Sequence, residues 1–165
     1  MTKLYLITGF LGAGKTTFLH QFVRLFPDRR TAIVVNEFGK QGVDGTLLED
    51  LDIKMEEINN GSIFCACKIE QFEDALLRLQ QENFDVIFVE ASGLSDPTAV
   101  GTILRQRDKF SDLEYAGAIC LVDGARFMTV YKTARVCRMQ LAISDMIIIN
   151  KCDIASREQL DEINT

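Results

Sequence analysis

A glycine-rich segment near the amino terminus contains the residue types that can enclose a polyphosphate. It reads GFLGAGKTT over residues 9–17 and satisfies the spacing G-x-x-x-x-G-K-[ST] of a phosphate-binding loop. Consecutive backbone N–H groups can wrap an anion only where glycines adopt positive φ and leave room for the ligand. We therefore expect Gly9, Gly12 and Gly14 to shape a loop that binds phosphates.

The position of this loop before a helical pattern indicates which of its groups meet the phosphates. A helix that begins near Gly14 would direct its free N–H groups and its partial positive charge at the same anion. We predict that Lys15 bridges the β- and γ-phosphates and that the Thr16 hydroxyl ligates Mg²⁺. Ala13 and Thr17 complete the predicted nucleotide-binding loop.

Five apolar runs rich in β-branched residues predict the strands that position this loop. They span residues 4–8, 31–36, 85–90, 117–123 and 145–150. Near-continuous hydrophobicity is typical of strands buried on both faces. Helical stripes lie between the runs, formed by Phe18, Phe22, Leu25 and Phe26 and by Phe72, Leu76 and Leu79. The alternation predicts an α/β fold with a mostly parallel sheet covered by helices on both faces, with ligands bound beyond the carboxyl ends of the strands.

The segment after the second run combines glycines with acidic residues. It reads NEFGKQGVDG over residues 36–45. Glu37 and Asp44 are candidates to hold the metal ion or to position a water for attack on phosphate, because such loops can respond to phosphate and Mg²⁺. The alternative is a solvated turn with ordinary surface acids.

The third run ends in an acidic residue that a glycine follows three positions later. Glu90 at the tip of a buried strand beside the loop can hold Mg²⁺, usually through water. Gly93 could donate its N–H to a γ-phosphate and move when that phosphate leaves. The fourth run ends in Asp123, and the sequence leaves open whether this carboxylate is structural or faces the site.

The fifth run ends in residues 150–153, which read NKCD and match N-K-x-D. The carboxylate of Asp153 could accept both the N1–H and the 2-amino protons of guanine, whereas adenine offers a mismatched edge. Asn150 would order the loop, and the stem of Lys151 could lie over the base. This motif favours guanine over adenine nucleotides.

Two of the five cysteines are spaced as metal ligands could be. Cys65 and Cys67 can present both thiolates to one soft metal ion, and two copies of the chain would supply the four thiolates of a zinc site. The alternative is a pair of free cysteines near a loop. Cys120 and Cys137 lie in apolar surroundings and are expected to be small buried hydrophobic residues.

Composition indicates one globular domain. The chain has 165 residues, 47% of them hydrophobic and 25% charged. Its net charge of −6 argues against binding to nucleic acid or to an anionic membrane. The apolar runs are too short to span a bilayer and the first residues carry no signal-peptide pattern, so we expect a cytoplasmic protein.

Taken together, the motifs resemble those of the CobW/HypB/UreG family of GTPases, and specifically its CobW-like branch. The similar stretches are GFLGAGKTT at 9–17, NEFGKQGVDG at 36–45, NNG at 59–61, EASGLSDP at 90–97 and NKCD at 150–153. The resemblance implies a P-loop NTPase fold of the SIMIBI class and slow Mg²⁺-dependent GTP hydrolysis. It also implies that hydrolysis is coupled to delivery of a metal or metallocofactor to a client protein, and that GTP favours a homodimer.

The chain departs from the family pattern in two places. CobW-like proteins usually carry Cys-x-Cys-Cys after the Asn-Gly turn, and in register this motif falls on residues 62–65, where only Cys65 matches and Cys67 is an addition. A site formed by Cys65 and Cys67 would replace the usual one for zinc or another transition metal. The family domain also normally continues beyond the guanine motif, so we expect residues 1–165 to form a single P-loop GTPase domain without its last strand or a C-terminal domain.

Two functions of different kinds follow from these observations. The first is an enzyme that hydrolyses GTP, with Lys15, Thr16, Glu90 and a carboxylate from Glu37 or Asp44 as catalytic residues. The second is a metal carrier in which the nucleotide acts only as a switch. An ATP-using relative is a further alternative, which the predicted role of Asp153 opposes.

Overall fold

A computed structural model describes residues 1–35, 53–57, 66–106 and 108–164, and for residues 55, 57 and 66–68 it describes the backbone alone. The elements in chain order are β1 (Thr2–Thr8), α1 (Lys15–Val23), β2 (Thr31–Val35), β3 (Lys54–Glu57), α2 (Ala66–Gln81), β4 (Val86–Glu90), α3 (Thr98–Leu104), β5 (Leu113–Asp123), α4 (Phe127–Thr133), α5 (Arg135–Ala142), β6 (Met146–Asn150) and α6 (Arg157–Ile163). Within these residues, no helix is long and apolar enough to cross a membrane.

The described strands form one sheet in the order β3-β2-β4-β1-β5-β6. Every pair of neighbours is parallel, which confirms the predicted α/β fold. All five predicted runs are strands. One further strand, β3, was not predicted. It reads KMEE and pairs with β2 as an outer strand of the sheet, and it lacks the apolar run that predicted the other five strands.

Parallel pairing brings the carboxyl ends of the strands to one edge. Glu90 at the end of β4 is level with Ile7 near the end of β1 and with Val35 at the end of β2. At the other side, Asp123 at the end of β5 is level with Asn150 at the end of β6. The predicted phosphate and guanine motifs therefore leave the sheet at the same edge.

The central strands are buried on both faces, as the apolar runs predict. In β4, Ile87 and Val89 belong to one apolar cluster and Val86 and Phe88 to the other. The ring of Phe88 lies 5.5 Å from that of Phe22 on α1, centroid to centroid. The two clusters pack helices against both faces of the sheet.

The stripe predicted for the second helix is correct, and that for the first is wrong at one residue. Phe72, Leu76 and Leu79 of α2 are fully buried. Leu25 is 69% exposed, because α1 ends at Val23. The next amides donate to carbonyls three residues back, Leu25 to Phe22 and Phe26 to Val23, and this tighter turn rotates Leu25 outward.

Candidate functional site

The glycine-rich loop between β1 and α1 has the backbone that the sequence predicts. Gly9, Gly12 and Gly14 have φ values of +138°, +77° and +92°. A Cβ on Gly9 would lie 2.3 Å from the carbonyl oxygen of Leu121, and one on Gly14 would lie 2.3 Å from Nδ2 of Asn150. The loop therefore passes directly over the ends of β5 and β6, where no side chain fits.

Helix α1 starts from this loop, with Gly14 as its N-cap and Lys15 as its first residue. The helix therefore points the N–H groups of its first turn toward the loop. Ala13 is buried and donates its own amide to Phe10, while Thr17 is exposed on the first turn.

A buried cation and a buried carboxylate lie beside the loop. Lys15 is 8% exposed and Glu90 is 6% exposed. Burial lowers the pKa of Lys15, and the negative charge of Glu90 opposes that shift. The Thr16 hydroxyl donates a hydrogen bond to Glu90 Oε1 at 3.0 Å. Burying charged groups is unfavourable unless they are paired or bind a ligand, so this cluster makes the loop a candidate site.

The segment after β4 packs against the same loop. A Cβ on Gly93 would lie 2.7 Å from the amide nitrogen of Leu11 and 3.1 Å from Nζ of Lys15. Just before it, the amide of Ala91 donates to the carbonyl of Ile7 at 2.9 Å. Gly93 is thus a glycine for lack of space, and its backbone lies beside the buried lysine.

Two residues of the NKCD motif bind the glycine-rich loop directly. Asn150 Nδ2 donates to the carbonyl oxygen of Ala13 at 2.9 Å, and its Oδ1 accepts from the amide of Lys151 at 2.9 Å. Lys151 adopts a positive φ of +59° and its Nζ donates to the carbonyl oxygen of Gly12 at 2.7 Å. Asp153 follows two residues later and is exposed. Asn150 and Lys151 therefore hold the NKCD motif against the loop between β1 and α1.

Asp123, whose role the sequence leaves open, holds the lysine of this motif. Its Oδ2 accepts from Lys151 Nζ at 2.9 Å, and its Oδ1 accepts from the amides of Ala125 and Arg126 at 3.0 and 3.2 Å. Burial raises the pKa of Asp123, but the hydrogen bond and charge of Lys151 and the two amides outweigh it, and the net pKa is lowered. The charged carboxylate thus keeps Lys151 on the loop.

Sequence reasoning missed one further residue. Gln140 on α5 is fully buried, and its side-chain nitrogen donates to the carbonyl oxygens of Gly93 and Ser95. The signal available was a single glutamine next to Leu141 on an otherwise apolar helical face, which does not reveal a partner more than 40 positions away.

The cysteine predictions have different outcomes. Cys120 and Cys137 are buried, as expected, and burial raises the pKa of Cys120 to about 12, so its thiol stays protonated. Cys65 lies outside the described residues, and of Cys67 only the backbone at the start of α2 is described. Within the described part of the chain, no group of three or more His, Cys, Asp or Glu side chains is placed to hold a metal ion. A zinc site at these two cysteines stays a prediction.

The two carboxylates predicted to hold the metal ion or to position a water lie outside the described residues as well. Glu37 and Asp44 belong to residues 36–52, and the Asn-Asn-Gly turn belongs to residues 58–65. Which carboxylate positions water therefore stays open between the two.

Comparison with known proteins agrees with this geometry. The nucleotide-binding domain of the CobW/HypB/UreG family matches residues 3–165. The zinc chaperone YeiR of Escherichia coli strain K12 is 34% identical over 161 residues, which cover 96% of this chain and 49% of YeiR. The zinc chaperone YjiA of the same organism is 32% identical over 165 residues, which cover 95% of this chain and 52% of YjiA.

A solved structure extends the likeness to three dimensions. The crystal structure of the Zn(II)-bound YjiA GTPase from E. coli superimposes with a TM-score of 0.68 and 25% identity, covering 98% of this chain and 53% of that one. The chain spans about half the length of the curated relatives it matches.

Proposed function

Because the chain belongs to the CobW/HypB/UreG family, we propose that it binds GTP with Mg²⁺, hydrolyses it slowly, and uses this cycle to deliver a metal to a client protein. The observation that carries the proposal is the pair of hydrogen bonds from Asn150 and Lys151 to the carbonyls of Ala13 and Gly12. They hold the motif that we propose reads guanine directly against the loop that we propose binds the phosphates.

The phosphates of GTP would lie in the glycine-rich loop. The first-turn amides of α1 would donate to them, and Lys15 would bridge the β- and γ-phosphates. Because the pKa of Lys15 is lowered by burial, an incoming polyphosphate would restore a favourable environment for its positive charge. The free site is thus prepared for an anionic ligand.

The residues beside Lys15 suit Mg²⁺. Thr16 offers a hydroxyl oxygen and Glu90 a carboxylate oxygen, both hard ligands, and the two already lie 3.0 Å apart. When bound, Mg²⁺ neutralises charge that develops on the phosphates. Thr16 would hold the ion, and Glu90 would hold it through water.

Hydrolysis would depend on the segments around the γ-phosphate. The Gly93 amide would donate to it, and Glu37 or Asp44 would place the attacking water. None of the segments 9–17, 36–45, 90–97 and 150–153 contains an arginine that could neutralise the transition state, so we expect a slow reaction in the isolated chain. A second copy or a client would supply the missing charge.

Recognition of guanine would fall to Asp153. Its exposed carboxylate would accept two hydrogen bonds from the base, while Asn150 and Lys151 keep the motif next to the phosphates. Adenine has no matching pair of donors. The carboxylate thus favours GTP over ATP.

The metal would be cargo rather than a cofactor of hydrolysis. Two relatives of the chain are zinc chaperones by name. Cys65 and Cys67 would bind zinc or another transition metal across a GTP-dependent homodimer, in place of the Cys-x-Cys-Cys motif. The same two thiols favour a second candidate, a metal carrier in which the nucleotide only switches affinity.

Phosphate release and metal competition test the proposal together. We expect Mg²⁺-dependent release of phosphate from GTP well above that from ATP, which Thr16→Ala abolishes. The double variant Cys65→Ser/Cys67→Ser should lose zinc in competition with a micromolar chromophoric chelator yet retain phosphate release. If the chain binds zinc but does not hydrolyse GTP, the metal-carrier function alone remains. Equal rates of phosphate release from GTP and from ATP would contradict the assignment of Asp153 to guanine.

A further inference from the structure

The buried glutamine on α5 makes a contact that the proposed chemistry has not used. Gln140 is 0% exposed and its Nε2 donates to the carbonyl oxygens of Gly93 at 3.2 Å and Ser95 at 3.3 Å. Because both partners are acceptors, the nitrogen end of the amide must face them, which fixes the orientation of the side chain. A side chain from α5 thus holds the backbone on both sides of Leu94.

This amide is not explained by packing alone. Its Oε1 is buried and has no hydrogen-bond partner among the residues that the structure describes. A buried polar atom without a partner is unfavourable by about 1–3 kcal/mol, and an apolar side chain of the same size would avoid it. An apolar residue could not make the two hydrogen bonds to Gly93 and Ser95, so these bonds are what the glutamine contributes at this position.

Gly93 is held from the opposite side as well. The position of its absent Cβ is 2.7 Å from the amide nitrogen of Leu11 and 3.1 Å from Nζ of Lys15. A glycine has no Cβ to restrict its φ and ψ, so its backbone depends on such contacts for a fixed orientation. With its carbonyl tied to Gln140, the peptide plane between Gly93 and Leu94 keeps one orientation, which limits how the amide of Gly93 can turn beside the buried lysine.

We propose that Gln140 is a positioning residue that presents the Gly93 amide to the γ-phosphate and so strengthens binding of GTP relative to GDP. The inference rests on the proposed function, since it assigns a γ-phosphate to the space beside Lys15. GDP has no γ-phosphate, so the contact from Gln140 would matter little for GDP. Loss of the contact would leave Gly93 free to leave the phosphate, which weakens GTP binding and slows hydrolysis.

Two variants of Gln140 test the proposal. Gln140→Glu keeps the size but replaces the donor with a carboxylate that faces two carbonyls, and Gln140→Met keeps the volume without charge or donor. We expect both to lower affinity for a non-hydrolysable GTP analogue with Mg²⁺ by about fivefold to tenfold, as two neutral hydrogen bonds imply. The affinity for GDP should change less than about twofold, and kcat for GTP should fall. If the charge of Gln140→Glu unfolds the chain, Gln140→Met alone decides.

Gln159 provides a matched control, because its side-chain nitrogen also donates to a backbone carbonyl, that of Ala125 at 2.8 Å, away from residues 93–95. Gln159→Met should leave the ratio of the GTP-analogue and GDP affinities unchanged. A wild-type ratio and kcat in both Gln140 variants, or an equal loss of affinity for both nucleotides, would overturn the inference while the proposed function stands. A wild-type chain that binds neither nucleotide would overturn both.

Discussion

The two ends of the candidate site differ in how deeply the fold holds them. The phosphate end arises from β1 and β4, strands with neighbours on both sides, and its two charged side chains, Lys15 and Glu90, are at most 8% exposed. The base end arises from β6, the last strand in the described sheet, where Ile147 is 52% exposed and Asp153 lies at the surface. Changes at the phosphate end should therefore disturb both binding and packing, and a change at the exposed Asp153 should disturb selectivity alone.

Two hydrogen bonds connect these unequal halves. Asn150 donates to the carbonyl oxygen of Ala13, and Lys151 donates to that of Gly12. Asp123 accepts a further hydrogen bond from the Lys151 side chain. The exposed motif at the edge thus takes its position from the buried loop. Substitutions with different effects on nucleotide binding, stability and base selectivity can test this contrast between the two ends.

The largest effect is expected from loss of the buried lysine. Lys15→Met removes the buried positive charge that we propose binds the phosphates, and affinity for GDP and for a GTP analogue should fall roughly hundredfold, the usual size for a charged hydrogen-bonding group. Isothermal titration measures both. Lys132→Met, which removes a lysine from an exposed ion pair with Glu162, should bind like the wild type. Equal affinities in the wild type and Lys15→Met would place the phosphates elsewhere.

The junction of the two halves should respond next. Gly14→Ala forces a Cβ to within 2.3 Å of Asn150 at a φ of +92°, and should lower the free energy of unfolding by about 2 kcal/mol. Gly12→Ala has a similar φ of +77° but nothing within 4 Å, so only strain of about 1 kcal/mol is expected. Urea unfolding gives the free energy of unfolding of each variant relative to the wild type. Equal losses would mean that the approach of Asn150 does not constrain the loop.

The base end should lose selectivity without losing stability. Asp153→Asn replaces an exposed carboxylate by an amide of the same shape, and the preference for GDP over ADP should fall at least about tenfold because a charge-assisted contact is lost. The midpoint of urea unfolding should not move. Unchanged preference would contradict the guanine assignment, and a large loss of stability would contradict the contrast between the two ends.

The smallest effect is a dependence of stability on pH at Asp123. Its pKa is lower in the folded chain than in the unfolded one, so its charge stabilises the fold at neutral pH, and that stabilisation is lost as pH falls through the lowered pKa. Lys151→Met removes the lysine that keeps the pKa low, and should flatten this part of the acid unfolding curve. Lys132→Met serves as the exposed control. A stronger dependence of stability on acid pH in Lys151→Met than in the wild type would contradict the role given to Lys151.

Local patterns were enough to predict five of the six described strands, because apolar runs such as those at β1 and β4 are typical of buried strands. The glycine spacing predicted the loop between β1 and α1, because that loop needs residues that adopt positive φ. Leu25 was misplaced because a helical stripe does not show where α1 tightens and ends. The weak strand β3 is defined by its pairing with β2 rather than by its own residues.

The contacts that assemble the site were beyond sequence reasoning. Asn150 meets Ala13 across 137 positions, and Gln140 meets Gly93 across 47. Such partners depend on which strands become neighbours, and on the sheet order that places β5 beside β1 and β6 beside β5. The motif spacing indicated which residues matter, while only the fold shows which of them touch.

One titration tests the central claim that the phosphate and base ends form a single guanine-nucleotide site. The wild-type chain is titrated by calorimetry with GDP and a non-hydrolysable GTP analogue in Mg²⁺, then with the matching adenine nucleotides. The account predicts one guanine nucleotide per chain, bound at least about tenfold more tightly than its adenine counterpart. Equal affinity for the two bases, or no binding of either triphosphate analogue, would contradict it.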